Sequence, residues 1–278
     1  MSRLIGASQP FGQTRKLSYT MAPERYTGRV LYVSFRTDVD LSAWLPAPLV
    51  AADPHEGFLK IYELKRRPEF GEPLPPNFSQ YREVCVTVLA GPPGEVARHY
   101  NLFMWVDRDW ALYKAREAFG WPKKLADIHV SAAYPGDNRY DLDDGTSAFN
   151  ADMSRWGYQT LSVRAKLDPA APPQPTPPFN GFYTIRHIPG PVAGDDIREL
   201  LVIETRDGWF RNGTYGTAEI EFGNAPDEEL AALGAPTVTG CVLREVGWVL
   251  PGWPARRLAL IDPIDTDSGD PIPQKETT

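Results

Sequence analysis

Short runs rich in Val, Ile, Thr and aromatic residues recur along most of this chain, and Gly- or Pro-rich segments separate them. Such runs are typical of β-strands, because branched and aromatic side chains pack well on a pleated surface. Many strands with few helical signals predict a mainly β (α+β) fold, a largely antiparallel β-barrel with a few short helices. The predicted strands cover residues 29–36, 57–64, 83–90, 100–106, 127–133, 158–167, 182–188, 198–204, 217–222 and 238–250.

The domain organisation follows from length and from the loop composition. At 278 residues, with 42% hydrophobic and 12% aromatic residues, the chain can bury a sizeable core. We expect an irregular N-terminal lead-in over 1–26, a single domain over 27–262 and a flexible tail over 263–278. The Pro-rich stretch at 168–178, DPAAPPQPTPP, is interpreted as a long connection within that domain, because strands of similar character continue on both sides.

Charge and cysteine content narrow the class of protein. A net charge of -7 and a pI near 5.2 argue against binding to nucleic acid or to an anionic membrane surface. The N-terminal residues contain no continuous apolar segment, so neither a signal peptide nor a membrane span is expected. Cys85 and Cys241 lie in apolar runs and are interpreted as buried thiols. The composition therefore favours a cytoplasmic protein that acts on a small molecule.

Two adjacent lysines, Lys123 and Lys124, follow the clearest helical segment. Residues 110–119 are mostly good helix formers, Gly120 suits a left-handed helix end, and Pro122 prevents continuation. The two lysines therefore lie in extended chain, where successive side chains point to opposite faces. We expect one lysine to face inward and the other outward.

An inward lysine has two interpretations. The common one is a solvent-facing ammonium group, since lysine is seldom buried. The other is an uncharged amine that attacks a carbonyl carbon and forms an imine. A free lysine titrates near ~10.4, so this chemistry requires a drop of roughly four units. A neighbouring ammonium at about 6–8 Å supplies only ~2–3 kcal/mol, whereas complete burial can supply about 3–5 units. Burial among Phe119, Trp121 and Leu125 would therefore be the main cause.

Three stretches together resemble one known family. The run REAFGWPKKLA at 116–126 resembles the catalytic signature of the acetoacetate decarboxylase family. RTD at 36–38 with LPAPL at 45–49 is similar to an early strand and turn of that family, and YREV at 81–84 is similar to its Tyr-x-Glu element. Acetoacetate decarboxylase is itself an established case of a lysine activated by its surroundings.

The resemblance implies roles for individual residues. Lys123 would form the imine, Lys124 would be the neighbouring cation that helps keep that amine uncharged, and Glu83 would be a pocket carboxylate that moves protons. Met104 is assigned to substrate binding together with two less regular positions.

Those two positions depart from the family pattern. Family decarboxylases carry an arginine on the early strand, and Arg29 lies near its place but one residue out of register. A second family carboxylate falls near Leu59 or Lys60, neither of which is acidic, and Glu63 could replace it only in a shifted strand. We include Arg29 and Glu63 in the predicted substrate-binding set.

The resemblance also implies a function. It points to a carbon–carbon lyase that decarboxylates an acetoacetate-like β-keto acid through a lysine imine, needs no cofactor or metal, and assembles as a homo-oligomer. The four histidines show no ligand spacing, and no Gly-rich phosphate loop is present. Two alternatives stay open: an aldolase-dehydratase or hydratase that uses the same imine on pyruvate-like keto acids, and a non-catalytic β-barrel that binds a small ligand.

Overall fold

The computed structural model describes residues 23–131, 144–177, 179–192, 196–252 and 255–260. Strands dominate these residues, which confirms the mainly β class. The strands are β1 (Glu24–Arg36), β2 (Val50–Ala51), β3 (Glu56–Pro68), β4 (Gln80–Gly91), β5 (Arg98–Val106), β6 (Lys123–Leu125), β7 (Asp127–Val130), β8 (Ser147–Arg155), β9 (Tyr158–Asp168), β10 (Phe182–Ile188), β11 (Ile197–Ile203), β12 (Arg206–Phe222), β13 (Thr237–Leu250) and β14 (Ala255–Leu260). The helices are α1 (Pro76–Ser79), α2 (Asp109–Lys114), a π-helical turn (Ala115–Phe119), and two 3-10 turns (Leu41–Trp44, Leu230–Leu233).

The described strands form a single hydrogen-bonded sheet. Its order is β14-β11-β10-β5-β4-β3-β1-β13-β12-β9-β8-β7, with β2 on β4 and β6 on β5. Most neighbours are antiparallel, whereas β6 and β10 each pair with β5 in parallel. The strand order ends at β14 on one side and at β7 on the other, so within the described residues the sheet is not closed. The predicted term barrel therefore fits this sheet only loosely.

Strand β1 shows how the sheet divides its side chains between two faces. Leu31, Val33 and Phe35 pack into the larger hydrophobic core. Tyr26 and Tyr32 lie on the other face, in two smaller apolar clusters. Because side chains alternate along a strand, the even-numbered residues of β1 face one side together. That side carries the cavity described below.

The ends of the predicted elements differ from the observed ones. Strand β1 begins at Glu24, so the last residues of the expected lead-in belong to the sheet. Residues 1–22 of the lead-in and the tail over 263–278 lie outside the described residues. Strand β8 was not predicted, although Phe149, Ala151 and Met153 alternate with polar residues, because its Ala, Asn, Asp and Ser residues have low β propensity.

Within the described residues, no helix combines the length and the apolar character that crossing a membrane would require.

Candidate active site

The end of the helical segment fixes where Lys123 enters the sheet. Gly120 has a left-handed backbone (φ 73°), and its N–H donates to the carbonyl of Arg116 at 3.3 Å. A Cβ at position 120 would lie 2.5 Å from Cα of Arg186, so only glycine fits this contact. Strand β6 then pairs with β5, and Lys123 lies opposite Met104. The predicted left-handed helix end at Gly120 is confirmed.

Lys123 is the lysine that faces inward. Its side chain is 5% exposed, and its Nζ donates to Oε2 of Glu83 at 2.5 Å. The ring centroids of Trp121 and Tyr81 lie 5.5 and 5.7 Å from that Nζ. The other oxygen of Glu83 accepts a weak bond from Cys85 Sγ at 3.4 Å. The structure thus brings an amine and a carboxylate into direct contact between aromatic rings.

These groups line a cavity of about 60 Å³. Its wall is largely aromatic, and it includes Tyr26, Tyr62, Tyr81, Trp121, Phe182 and Trp248. The indole Nε1 of Trp121 is buried and has no hydrogen-bond partner in the described part of the chain. An apolar cavity with a few convergent polar groups is the usual form of a small-molecule site.

A second buried amine, Lys60, shares the cavity. Lys60 is 2% exposed, and its Nζ lies 3.0 Å from Nδ1 of His99. Burial lowers the pKa of Lys60 to about 7. This lysine occupies one of the two positions where the family resemblance places a second carboxylate. Lys60 was not predicted to line a cavity, although a lysine inside the apolar run GFLKIY was a usable signal.

The two amines belong to one row of side chains across four neighbouring strands. Lys60 on β3 lies opposite Cys85 on β4, Cys85 opposite Met104 on β5, and Met104 opposite Lys123 on β6. Three strand spacings of about 4.8 Å separate the ends of the row, so the two lysine Cα atoms are about 14 Å apart. Met104, assigned to substrate binding from sequence, lies between them and lines the cavity.

A buried ionic cluster forms another part of the cavity wall. Oε1 of Glu24 accepts from Arg66 at 2.8 Å, and Oε2 accepts from Lys114 at 2.7 Å and from the Tyr26 hydroxyl at 2.8 Å. Burial lowers the pKa of Lys114, although Glu24 opposes this effect, and burial raises the pKa of Tyr26. The cluster was not predicted, because its members are distant in sequence.

Arg29 and Glu63, which were predicted to bind substrate, do not line this cavity. Arg29 donates to Glu63 and to the carbonyl of Ser131, and its guanidinium lies 5.2 Å from the Phe149 ring centroid. The cavity takes the even-numbered side chains of β1 and β3, such as Tyr26. Arg29 and Glu63 are odd-numbered and therefore lie on the opposite face.

Lys124 also lies outside the cavity. Its Nζ donates to Glu229 Oε2 at 2.6 Å and to the carbonyl of Asp227 at 3.2 Å. The structure therefore separates the two lysines that sequence analysis placed in one site. Across the described ranges, no group of three or more His, Cys, Asp or Glu residues is placed to hold a metal ion.

Comparison with known proteins identifies relatives over much of the chain. The family model described as Acetoacetate decarboxylase (ADC) matches residues 8–253. Acetoacetate decarboxylase from Paraburkholderia phytofirmans is 34% identical over 111 residues, which are 39% of this chain and 40% of the relative. The enzyme from Burkholderia mallei is 32% identical over 114 residues, 39% of this chain and 41% of the relative. The chain thus matches about two fifths of the length of these curated relatives.

Solved structures show the same fold over longer spans. An acetoacetate decarboxylase-like enzyme from Sphingomonas wittichii RW1 superposes with a TM-score of 0.80 at 22% identity, covering 91% of this chain and all of that one. The enduracididine biosynthesis enzyme MppR complexed with pyruvate gives a TM-score of 0.77 at 21% identity, covering 92% and 98% of the two chains. The resemblance read from the lysine motif is confirmed by the family model, and this chain belongs to the acetoacetate decarboxylase family.

Proposed function

We propose that this protein is a Schiff-base-forming lyase that acts on a small keto acid through Lys123. The contact between Lys123 Nζ and Glu83 Oε2 inside an aromatic cavity carries the proposal. An amine becomes nucleophilic when it loses its proton, and a carboxylate in direct contact can accept that proton. The acetoacetate decarboxylases among the relatives are consistent with lyase chemistry.

The contact defines the first steps of the reaction. The proton of Lys123 passes to Glu83, and the neutral Nζ attacks the ketone carbon of the substrate to give a carbinolamine. Glu83 then returns a proton to the carbinolamine hydroxyl, which leaves as water, and a protonated imine remains. The surrounding rings of Tyr81 and Trp121 exclude solvent water that would hydrolyse the imine early. The imine cation can then accept an electron pair from a neighbouring bond.

Decarboxylation is one use of this electron sink. In an acetoacetate-like β-keto acid, the bond between the α-carbon and the carboxylate breaks, carbon dioxide leaves, and its electron pair forms an enamine. Protonation of the enamine carbon and hydrolysis of the resulting imine release the ketone and restore Lys123.

A second reaction is favoured by Lys60. A protonated Lys60 would stabilise a substrate carboxylate as an anion, and decarboxylation must disperse that negative charge as carbon dioxide leaves. A reaction that keeps the carboxylate gains from the same cation in every step. Where Lys60 is protonated, below its pKa of about 7, the cavity therefore also supports aldol condensation with dehydration, or hydration, of a pyruvate-like keto acid. The superposable fold of MppR complexed with pyruvate is consistent with such a substrate.

Borohydride trapping tests the imine. The protein is incubated with pyruvate, and separately with acetoacetate, then reduced, and its intact mass is measured. We expect an adduct in the wild type and in Lys166→Ala, an exposed lysine on β9, and none in Lys123→Ala. Absence of an adduct with both keto acids in the folded wild type, or an adduct that persists in Lys123→Ala, would contradict the proposal.

A second assay separates the two reactions. Carbon dioxide release is measured with acetoacetate, and consumption of pyruvate is measured in the presence of an aldehyde. Release of carbon dioxide at many turnovers per active site would favour decarboxylation, whereas a carbon–carbon coupled product without it would favour the carboxylate-retaining reaction.

A further inference from the structure

A second chamber lies beside the Lys123 cavity. It is narrow, with a volume of about 20 Å³, which gives room for a small group such as a carboxylate. The two spaces share Lys60, Tyr62, Phe179 and Trp248 in their walls. A molecule in the chamber would therefore lie next to a keto acid held at Lys123.

The charged groups of the chamber are of one sign. Lys60 and Arg244 line it, and among its described lining residues there is no Asp or Glu. The guanidinium of Arg244 stacks on the ring of Phe210 at 3.8 Å, and one of its terminal nitrogens donates to Thr176 at 3.2 Å. With no carboxylate among the described lining residues, Arg244 makes an environment that favours an anion, and Lys60 adds to it when it is protonated.

Two donors in the chamber wall lack partners. The Nε of Arg244 and the hydroxyl of Tyr32 are buried, and neither has a hydrogen-bond partner in the described part of the chain. Tyr32 is 4% exposed. Buried donors are almost always satisfied in folded proteins, so a ligand with acceptor oxygens would complete this site. A carboxylate offers two such oxygens and matches a guanidinium in shape.

The Pro-rich segment, which sequence analysis treated only as a connection, forms one wall of the chamber. Pro177 lines it, and Thr176 holds Arg244 as described above. Gln174 fixes the segment to the sheet, because its side-chain oxygen accepts from the backbone N–H of Cys241 at 2.7 Å. The wall that orients Arg244 is thus itself attached to β13.

We propose that this chamber binds the carboxylate of a second substrate with a planar aromatic or conjugated body. The carboxylate accepts hydrogen bonds from Arg244 and Tyr32, and the planar body packs against Tyr62, Phe179 and Trp248, the rings that the chamber shares with the Lys123 cavity. The proposal deepens the proposed function, since it rests on a reaction at Lys123 that joins a keto acid to a second reactant.

Equilibrium binding of cinnamate tests the chamber without requiring any reaction. Cinnamate has a planar conjugated body and one carboxylate, and cinnamyl alcohol has the same body without charge. Titration calorimetry of the wild type should show cinnamate binding at least about tenfold more tightly than cinnamyl alcohol. Arg244→Gln should weaken cinnamate binding by at least about tenfold, and Tyr32→Phe should weaken it by a smaller factor.

Matched variants separate this site from the Lys123 site. Arg164→Gln removes the same charge from an exposed arginine on β9 that does not line the chamber, and it should bind cinnamate as the wild type does. Lys123→Ala should also retain cinnamate binding. Equal affinity for cinnamate and cinnamyl alcohol would contradict the proposal that the chamber binds a carboxylate. Wild-type affinity in both Arg244→Gln and Tyr32→Phe would contradict it as well. Failed imine trapping in a protein that still binds cinnamate would instead contradict the proposed imine chemistry at Lys123.

Discussion

The amines of Lys123 and Lys124 end on opposite faces of β6, and each has its own acidic partner. Lys123 Nζ lies 2.5 Å from Glu83 inside the cavity, whereas Lys124 Nζ lies 2.6 Å from Glu229 with its side chain 26% exposed. Because a carboxylate and solvent both screen Lys124, its charge acts only weakly on the buried amine. The cavity wall, rather than the adjacent lysine, therefore dominates the surroundings of the Lys123 amine.

Lys124→Gln tests this separation directly. The variant should keep borohydride trapping at Lys123 and should lose less than about 1 kcal/mol of the free energy of unfolding, because the ion pair with Glu229 is partly exposed. Intact mass and urea denaturation measure the two effects. Loss of trapping in a folded Lys124→Gln would show that the neighbouring cation does act on Lys123.

Gly120→Ala should destabilise the protein strongly. Position 120 combines a left-handed backbone with a Cβ contact to the backbone of Arg186 that cannot be relieved by moving a side chain. Gly157 has a similar φ of 82°, but nothing lies within 4 Å of its added Cβ. Gly157→Ala should cost about 1–2 kcal/mol, and Gly120→Ala should cost more than that. Thermal denaturation of both variants measures the loss of stability in each. Equal losses would show that the backbone of β10 can move away from the added Cβ at little cost.

Glu24→Gln should destabilise the protein, because it removes the only negative charge of the buried ionic cluster described above. The carboxylate of Glu24 is the acidic partner of Arg66 and Lys114, and the side chains of all three are largely buried. Leaving two buried cations without their carboxylate should cost about 3–5 kcal/mol. Asp152→Asn, on an exposed pair with Arg164, should change stability by less than about 0.5 kcal/mol. Similar effects of the two changes in urea denaturation would show that water reaches the cluster.

Local features of the sequence were sufficient for much of the fold. Branched and aromatic runs identified strands such as β3 and β13, and the pair Gly120 and Pro122 identified the helix end, because these signals arise from neighbouring residues. The start of β12 was missed, since its first residues, RDGWFRNG, are polar and contain two glycines. Polar, glycine-containing runs satisfy no simple alternation.

The candidate site was less accessible from sequence, because strand register decides which side chains meet. Glu83 and Lys123 were paired through a family motif, whereas Arg29 was assigned to a cavity that it does not face. A shift of one residue in a strand reverses the face of every side chain. Lys60 and Arg244 enter the cavity and the chamber through pairings between distant strands, and no local pattern reports such pairings.

Lys60 should make the stability of the protein depend on pH. Burial lowers the pKa of Lys60 to about 7 from the ordinary value of 10.5 expected in an unfolded chain. Between those values the unfolded chain binds a proton that the folded chain does not, so the free energy of unfolding should rise with pH, by about 1.4 kcal/mol per pH unit at most. Below the lower value both states are protonated, and the folded state carries the full cost of a buried charge.

Lys60→Met removes this titration and the cost of the charge. The variant should be more stable than the wild type at about pH 6, and the advantage should shrink toward about pH 9, where the wild-type amine is neutral. Urea denaturation of both proteins at the two pH values measures the change, and Lys166→Met, at an exposed position, serves as the control. A difference between wild type and Lys60→Met that stays constant with pH would show that the folded protein binds the Lys60 proton as tightly as the unfolded chain does.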